Sequence, residues 1–301
     1  MSMHSTALPL KRDLQKWIPG AEEKWLISSR QFLEEIFSDT FLPSHDQTHH
    51  VRVWNIGKSL LMQIASFNRH LDASLAEGLL IAAMFHDAGM AVTREKEHGR
   101  ISRELCEKWF RRQKLPPPER FGEVVDAIEK HDNKEDRICA RITRDEAPDL
   151  LTLLSLADDL EALGVIGVYR YTEIYLARGI ELQELGIHIL KNARSRFGHI
   201  SESCALCPQL LEGYRQEYAS LVSFFDIYNQ QLLVETDPEQ VRTGYVGIVN
   251  AIRRLSVEGR IRPEDFLTAI GKEDPGKLVT DFFTRLKEEL RKERLNHPDT
   301  T

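Results

Sequence analysis

Along nearly the whole chain, apolar residues recur at spacings of three and four, while the strict alternation of a half-buried strand is scarce. A chain patterned in this way closes its core by packing helices, so we read it as all-α. The periodicity predicts helices over 10–18, 23–38, 47–67, 72–88, 98–113, 117–131, 149–163, 165–182, 205–233, 237–257, 263–270 and 276–294. Start signals agree with several of these. Ser44 and Gln47 read as a capping box ahead of the second long helix, and Asp149 follows Pro148 before a leucine-rich run. Pro116, Pro117 and Pro118 close one helix and open the next, because proline suits a first helical turn and not a helix interior.

Length and charge narrow the classes. The 301 residues suit one large domain, or one domain with an appendage. We expect residues 1–40 to pack on a helical bundle over 41–235, and a Thr236-Asp237-Pro238 break to set off an accessory helical region, 237–301. Lys plus Arg is 40 against 47 for Asp plus Glu, and the net charge of −7 argues against a dedicated nucleic-acid binder. The longest apolar run, Leu79 to Phe85, is far short of the roughly 18 to 20 residues of a membrane span. The amino-terminal stretch holds no apolar segment long enough for a secretory signal, so the cytoplasm is the expected compartment. Four cysteines are too few for a disulfide framework. Cys204 and Cys207 form a lone C-A-L-C, whereas structural zinc takes four ligands.

The informative residues are polar ones placed where the core should be. His49 stands in line with Val53, Ile56 and Leu60, one face of a helix. His86 continues the line of Leu75, Leu79 and Ala82, with Asp87 next to it near an expected helix end at Ala88-Gly89. Asp158 keeps register with Leu151, Leu154 and Val165. His98 lies on the line of Ile101, Leu105 and Trp109, and His131 on that of Val124 and Ile128. A buried ionised carboxylate without partners costs several kcal/mol, so two aspartates facing inward demand a cation or a network of donors. A divalent metal site answers the demand of all six residues at once.

The order His, His-Asp, Asp, carried by T-H-H-V-R-V-W (48–54), M-F-H-D-A-G (84–89) and L-A-D-D-L-E-A-L-G (156–164), resembles the HD-domain superfamily of metal-dependent phosphohydrolases. The resemblance covers roughly residues 40–170, with a motif core at 44–170, and implies an all-α HD-domain bundle. It implies that His49, His86, Asp87 and Asp158 ligate one ion. His98 and His131 match, in order and rough spacing, the two histidines that many members add for a second ion, with Asp87 bridging and catalytic. His45-Asp46 is a second HD dipeptide, but no apolar line aims it at a core.

What the resemblance implies for activity is hydrolysis of a phosphate mono- or diester of a small, nucleotide-like molecule by attack of a metal-bound hydroxide. One or two divalent ions serve, with Mn, Fe, Co, Ni, Zn and Mg all compatible with His and carboxylate ligands. Lys130, Lys134, Arg52, Arg94 and Arg100 are candidate phosphate contacts. Met90 stands where nucleotidase-like members carry a glutamate, and the Gly-Tyr-Pro signature of the cyclic-dinucleotide branch is absent from K-H-D-N-K-E-D (130–136). Two other readings use the same residues: a di-iron oxygenase on the HD fold, and a non-catalytic metal- or nucleotide-binding regulatory module. The partner is then a small phosphorylated substrate, with no membrane, and a homo-oligomer is left open.

Overall fold

Aspartates start the helices that matter for the site. Asp46 accepts from the Thr48 N–H at 2.9 Å, Asp72 from Leu75 N–H at 2.7 Å, and Asp149 from Thr152 N–H at 2.8 Å. Each side chain satisfies one of the amide donors that the first turn of a helix leaves without a partner. The expected capping box at Ser44 and Gln47 does not form, because Asp46 takes the cap and Ser44 Oγ pairs with His45 Nδ1 instead. The structure, a computed structural model, describes residues 7–132, 141–271 and 275–295, and among them the regular elements are all helical.

The chain divides into two compact units, one made of the residues up to Glu161 with 199–211, the other of 162–198 with those from Glu212 onward. The first contains α1 (Ala7–Ile36), α2 (Gln47–Ile64), α3 (Ala73–Phe85), α4 (His98–Phe110), α5 (Phe121–Lys130) and α6 (Leu150–Glu161). Two expected helices at 10–18 and 23–38 are one, and Pro19 lies inside it. The buried line Leu14, Ile18, Ala21, Trp25 and Phe32 runs through the proline at helical spacing, so packing holds together what local propensity would part.

Helix α3 is the axis of this unit. From Gly78 to Phe85 every residue is buried, and α1, α2, α5 and α6 pack around it. A helix apolar on all sides belongs in a core, and this one ends by carrying a histidine and an aspartate into the interior. Two glycines then allow close approach. A Cβ on Gly89 would lie 2.1 Å from the His98 carbonyl oxygen, and one on Gly99 would lie 2.5 Å from that of Glu129. Helix α4 therefore sits against the turn after α3 on one side and against α5 on the other.

The second unit holds α7 (Gly164–Ala177), α8 (Leu182–Ser203) as far as Gly198, α9 (Tyr214–Leu232), α10 (Gly244–Ile252), α11 (Phe266–Ile270) and α12 (Lys277–Leu295). Its core joins Tyr169, Leu185, Ile189, Leu221, Phe225, Tyr228, Val249, Phe266 and Phe283. Helices α10, α11 and α12 share this core with α7, α8 and α9, so the Thr-Asp-Pro break at 236–238 falls within the unit rather than between units. Helix α8 is the element missed in sequence. Its apolar positions Leu182, Leu185, Ile189 and Ala193 keep helical steps, but Gly186, Gly198 and many polar residues mask them. No helix among the described residues is long and apolar enough to cross a membrane.

Candidate metal centre

Helix ends build the centre, all of it in the first unit. His49 lies in the first turn of α2, His86 is the residue that ends α3, with Asp87 directly after it, and His131 ends α5. His98 opens α4, and Asp158 lies in the last turn of α6. The carbonyl ends of α3, α5 and α6 thus converge, and a helix carboxy terminus carries partial negative charge that favours a cation. All six side chains are buried, with relative exposures of 0% for His49 and His86 and no more than 5% for the others.

Two groups of ligand atoms meet at Asp87. In the first, His49 Nε2 lies 3.1 Å from His86 Nε2, 3.5 Å from Asp87 Oδ2 and 3.7 Å from Asp158 Oδ1. His86 Nε2 lies 3.4 Å from Asp87 Oδ2 and 3.8 Å from Asp158 Oδ1. In the second group Asp87 Oδ1 lies 3.1 Å from His131 Nε2 and 3.3 Å from His98 Nε2. Each group keeps its ligand atoms within 4.8 Å of one another. Among the described residues these are the two groups of three or more His, Cys, Asp or Glu side chains with that closeness.

The donor set fits a metal. His86, His98 and His131 each pair Nδ1 with the backbone carbonyl three residues earlier, at 2.9, 2.8 and 2.8 Å. Assigning the ring proton to Nδ1 leaves the Nε2 lone pairs aimed inward, where lone pairs alone would repel. A bound cation reconciles such an arrangement, and metal-bound imidazoles are oriented in this way by their outer nitrogen. Electrostatics carry the same message. Burial by itself depresses the His86 imidazolium, yet the Asp87 carboxylate, with Asp158, raises its pKa to about 10. Burial pushes Asp87 upward, but His86, His131 and His49 hold its carboxyl well below the usual range. Burial likewise opposes a proton on His98, and Asp87 overrides it.

The neighbours divide by role. His50 is buried beside His86 and His49, and burial first, then those two imidazoles, lowers its pKa well below the ordinary value. Asp46 is spent on capping α2. His45 packs edge-on to the His49 ring, 5.3 Å between centroids. Among the candidate phosphate contacts, Arg52 is turned inward, with Nε donating to Glu161 Oε1 and Nη1 to Thr48 Oγ1. Arg100 pairs with Glu104 on an exposed face, Lys130 is exposed beside His131, and Arg94 is half-buried. Lys134 lies outside the described residues. Cys204 and Cys207 are buried free thiols apart from both groups.

The family model described as the HD domain matches residues 47–163. That span contains all six residues of the two groups and is similar to the HD domain, a family whose members are mostly metal-dependent hydrolases. Comparison with curated proteins finds no match, and comparison with solved structures finds none either.

Proposed function

We propose that the protein is a phosphohydrolase that cleaves a phosphate mono- or diester of a small molecule at a two-ion centre. The observation that carries this reading is the double use of Asp87, whose Oδ2 faces His49 and His86 while Oδ1 faces His98 and His131. His49, His86, Asp87 and Asp158 would hold one ion, and Asp87, His98 and His131 the other. Two divalent ions held there would supply an activated water at neutral pH and would polarise a phosphoryl oxygen.

This chain's residues supply the rest. The Nδ1 contacts to Ala83, Glu95 and Ile128 carbonyls keep three imidazoles in the tautomer that presents Nε2. Asp87 holds the two groups in register and takes no proton itself, since its carboxyl stays ionised. Lys130, next to His131, and Arg94, four residues before His98, are candidate cations to meet a phosphate on the side of the second group.

Protein purified without chelator is expected to carry two ions per chain by elemental analysis, and to hydrolyse members of a mono- and diester screen when that metal is added. Two irons per chain, oxygen consumption and no ester hydrolysis would replace this reading with the oxygenase. Metal bound with neither activity would favour a regulatory module.

A further inference from the structure

His86, His98 and His131 all turn Nδ1 onto a backbone carbonyl of their own turn. His49 is built differently. Its Nδ1 lies 3.4 Å from a side-chain carboxylate oxygen, Glu161 Oε2, rather than on a carbonyl of its own turn. Glu161 is the last residue of α6, three positions after Asp158 and so on the same helical face, and it is only 4% exposed. Its other oxygen accepts from Arg52 Nε, and Arg52 Nη1 reaches Thr48 Oγ1 one turn back along α2. Arg52 is 3% exposed, so both partners of this ion pair are taken out of water.

We infer that Glu161 is the positioning residue of the first ion, acting through His49, and that Arg52 serves Glu161 rather than a substrate. The inference rests on the reading of the His/Asp cluster as a metal centre. A carboxylate on the outer nitrogen of an imidazole fixes the tautomer, holds the ring's orientation and makes the inner nitrogen a better ligand. A backbone carbonyl does the first two with less charge. Glu161 therefore gives the first group an electron-richer imidazole than the second group has. Arg52 fixes the direction of the carboxylate and offsets its charge, which keeps Glu161 from leaving His49 to seek the ion itself. A buried carboxylate and guanidinium would be a weak device for stability alone, because desolvation consumes most of the attraction.

The test is Co²⁺ affinity, by chelator competition, of the wild type, Glu161→Gln and Arg52→Met, with the Co²⁺ absorption spectrum as a second readout. The amide keeps the shape but loses the charge. Glu161→Gln is expected to weaken one of two Co²⁺ ions by about 10–100-fold, to change the spectrum of that ion and to leave the other unchanged. Arg52→Met leaves Glu161 charged but no longer held toward His49, and is expected to weaken the same Co²⁺ ion by less than Glu161→Gln does, to leave the other ion unchanged, and to lower the melting temperature of the metal-stripped protein. Wild-type affinity in Glu161→Gln, or equal losses in both variants, would overturn the inference. Should Glu161→Gln fail to fold, the wild type loaded with Zn²⁺ decides. The His49 Nδ1 proton is then expected further downfield than those of His86, His98 and His131, and a matching position would overturn the inference. If the wild type binds no Co²⁺ at all, the metal-centre reading itself falls, and the role of Glu161 with it.

Discussion

Replacing Gly99 by alanine tests how the second ligand group is assembled. Gly99 follows His98 in the first turn of α4, and an added Cβ would stand 2.5 Å from the Glu129 carbonyl oxygen on α5, where ordinary contact begins at 3.4 Å. The two helices must part by about 0.9 Å at that point, the difference between those two distances. His98 Nε2 and His131 Nε2 approach the same Asp87 oxygen, at 3.3 and 3.1 Å, from these two helices. Metal–ligand distances hold to within about 0.2 Å, so the displacement is several times what a shared ion tolerates. None of the first group's residues lies on α4 or α5. In stability, overpacking costs about 1–3 kcal/mol, offset by roughly 1 kcal/mol that alanine gains over glycine in a helix. Gly99→Ala is therefore expected to stay folded, to lower the melting temperature by a few degrees at most, and to bring the metal content of purified protein from two ions per chain toward one. Elemental analysis after dialysis, with circular dichroism melts, measures both. Gly122→Ala is the control, since a Cβ there meets nothing within 4 Å. Two ions retained at wild-type affinity in Gly99→Ala would refute the claim that glycine-mediated helix contact sets the second group.

Asp87→Ala should remove both ions and all activity while helical content persists, because one side chain serves both groups; a loaded, active variant would contradict this. His131→Ala should halve the metal-to-protein ratio, and an unchanged ratio by elemental analysis would leave a single-ion centre. Metal binding should also depend on pH. With its pKa raised to about 10, His86 holds a proton at neutral pH in chelator-treated protein, and the ion must expel it. Apparent affinity should then rise up to about tenfold per pH unit from pH 6 to 9, and a flat titration would sink the argument. In the same stripped protein the raised His86 pKa stabilises the fold below its ordinary value of 6.5 and loses that contribution as pH rises through about 10. The lowered Asp87 pKa contributes above the ordinary 3.8, and its share is lost as pH falls through the depressed value.

The all-helical class and the six inward-facing His and Asp residues were legible in the chain as written. Helical periodicity states which side of each helix is buried, and a charged residue on that side is conspicuous without coordinates. Helix breaks were less legible. Pro19 reads as a stop by local propensity, and only the buried line from Leu14 to Phe32 overrules it. Helix α8 was hidden by glycines and polar residues that its shared core tolerates.

Tertiary structure alone decided the rest, because contacts between residues far apart in sequence leave no local period to read. Periodicity placed Arg52 on a ligand helix but could not say that its guanidinium meets Glu161, 109 residues away. It could not single out Glu161, whose role depends on α6 lying across α2. Nor could it show Asp87 with one oxygen toward each group, which follows from α4 and α5 closing on the turn after α3 through two glycines. Sequence thus determined which polar side chains face inward; the packing of helix ends determined how those side chains gather into two groups that could hold a metal.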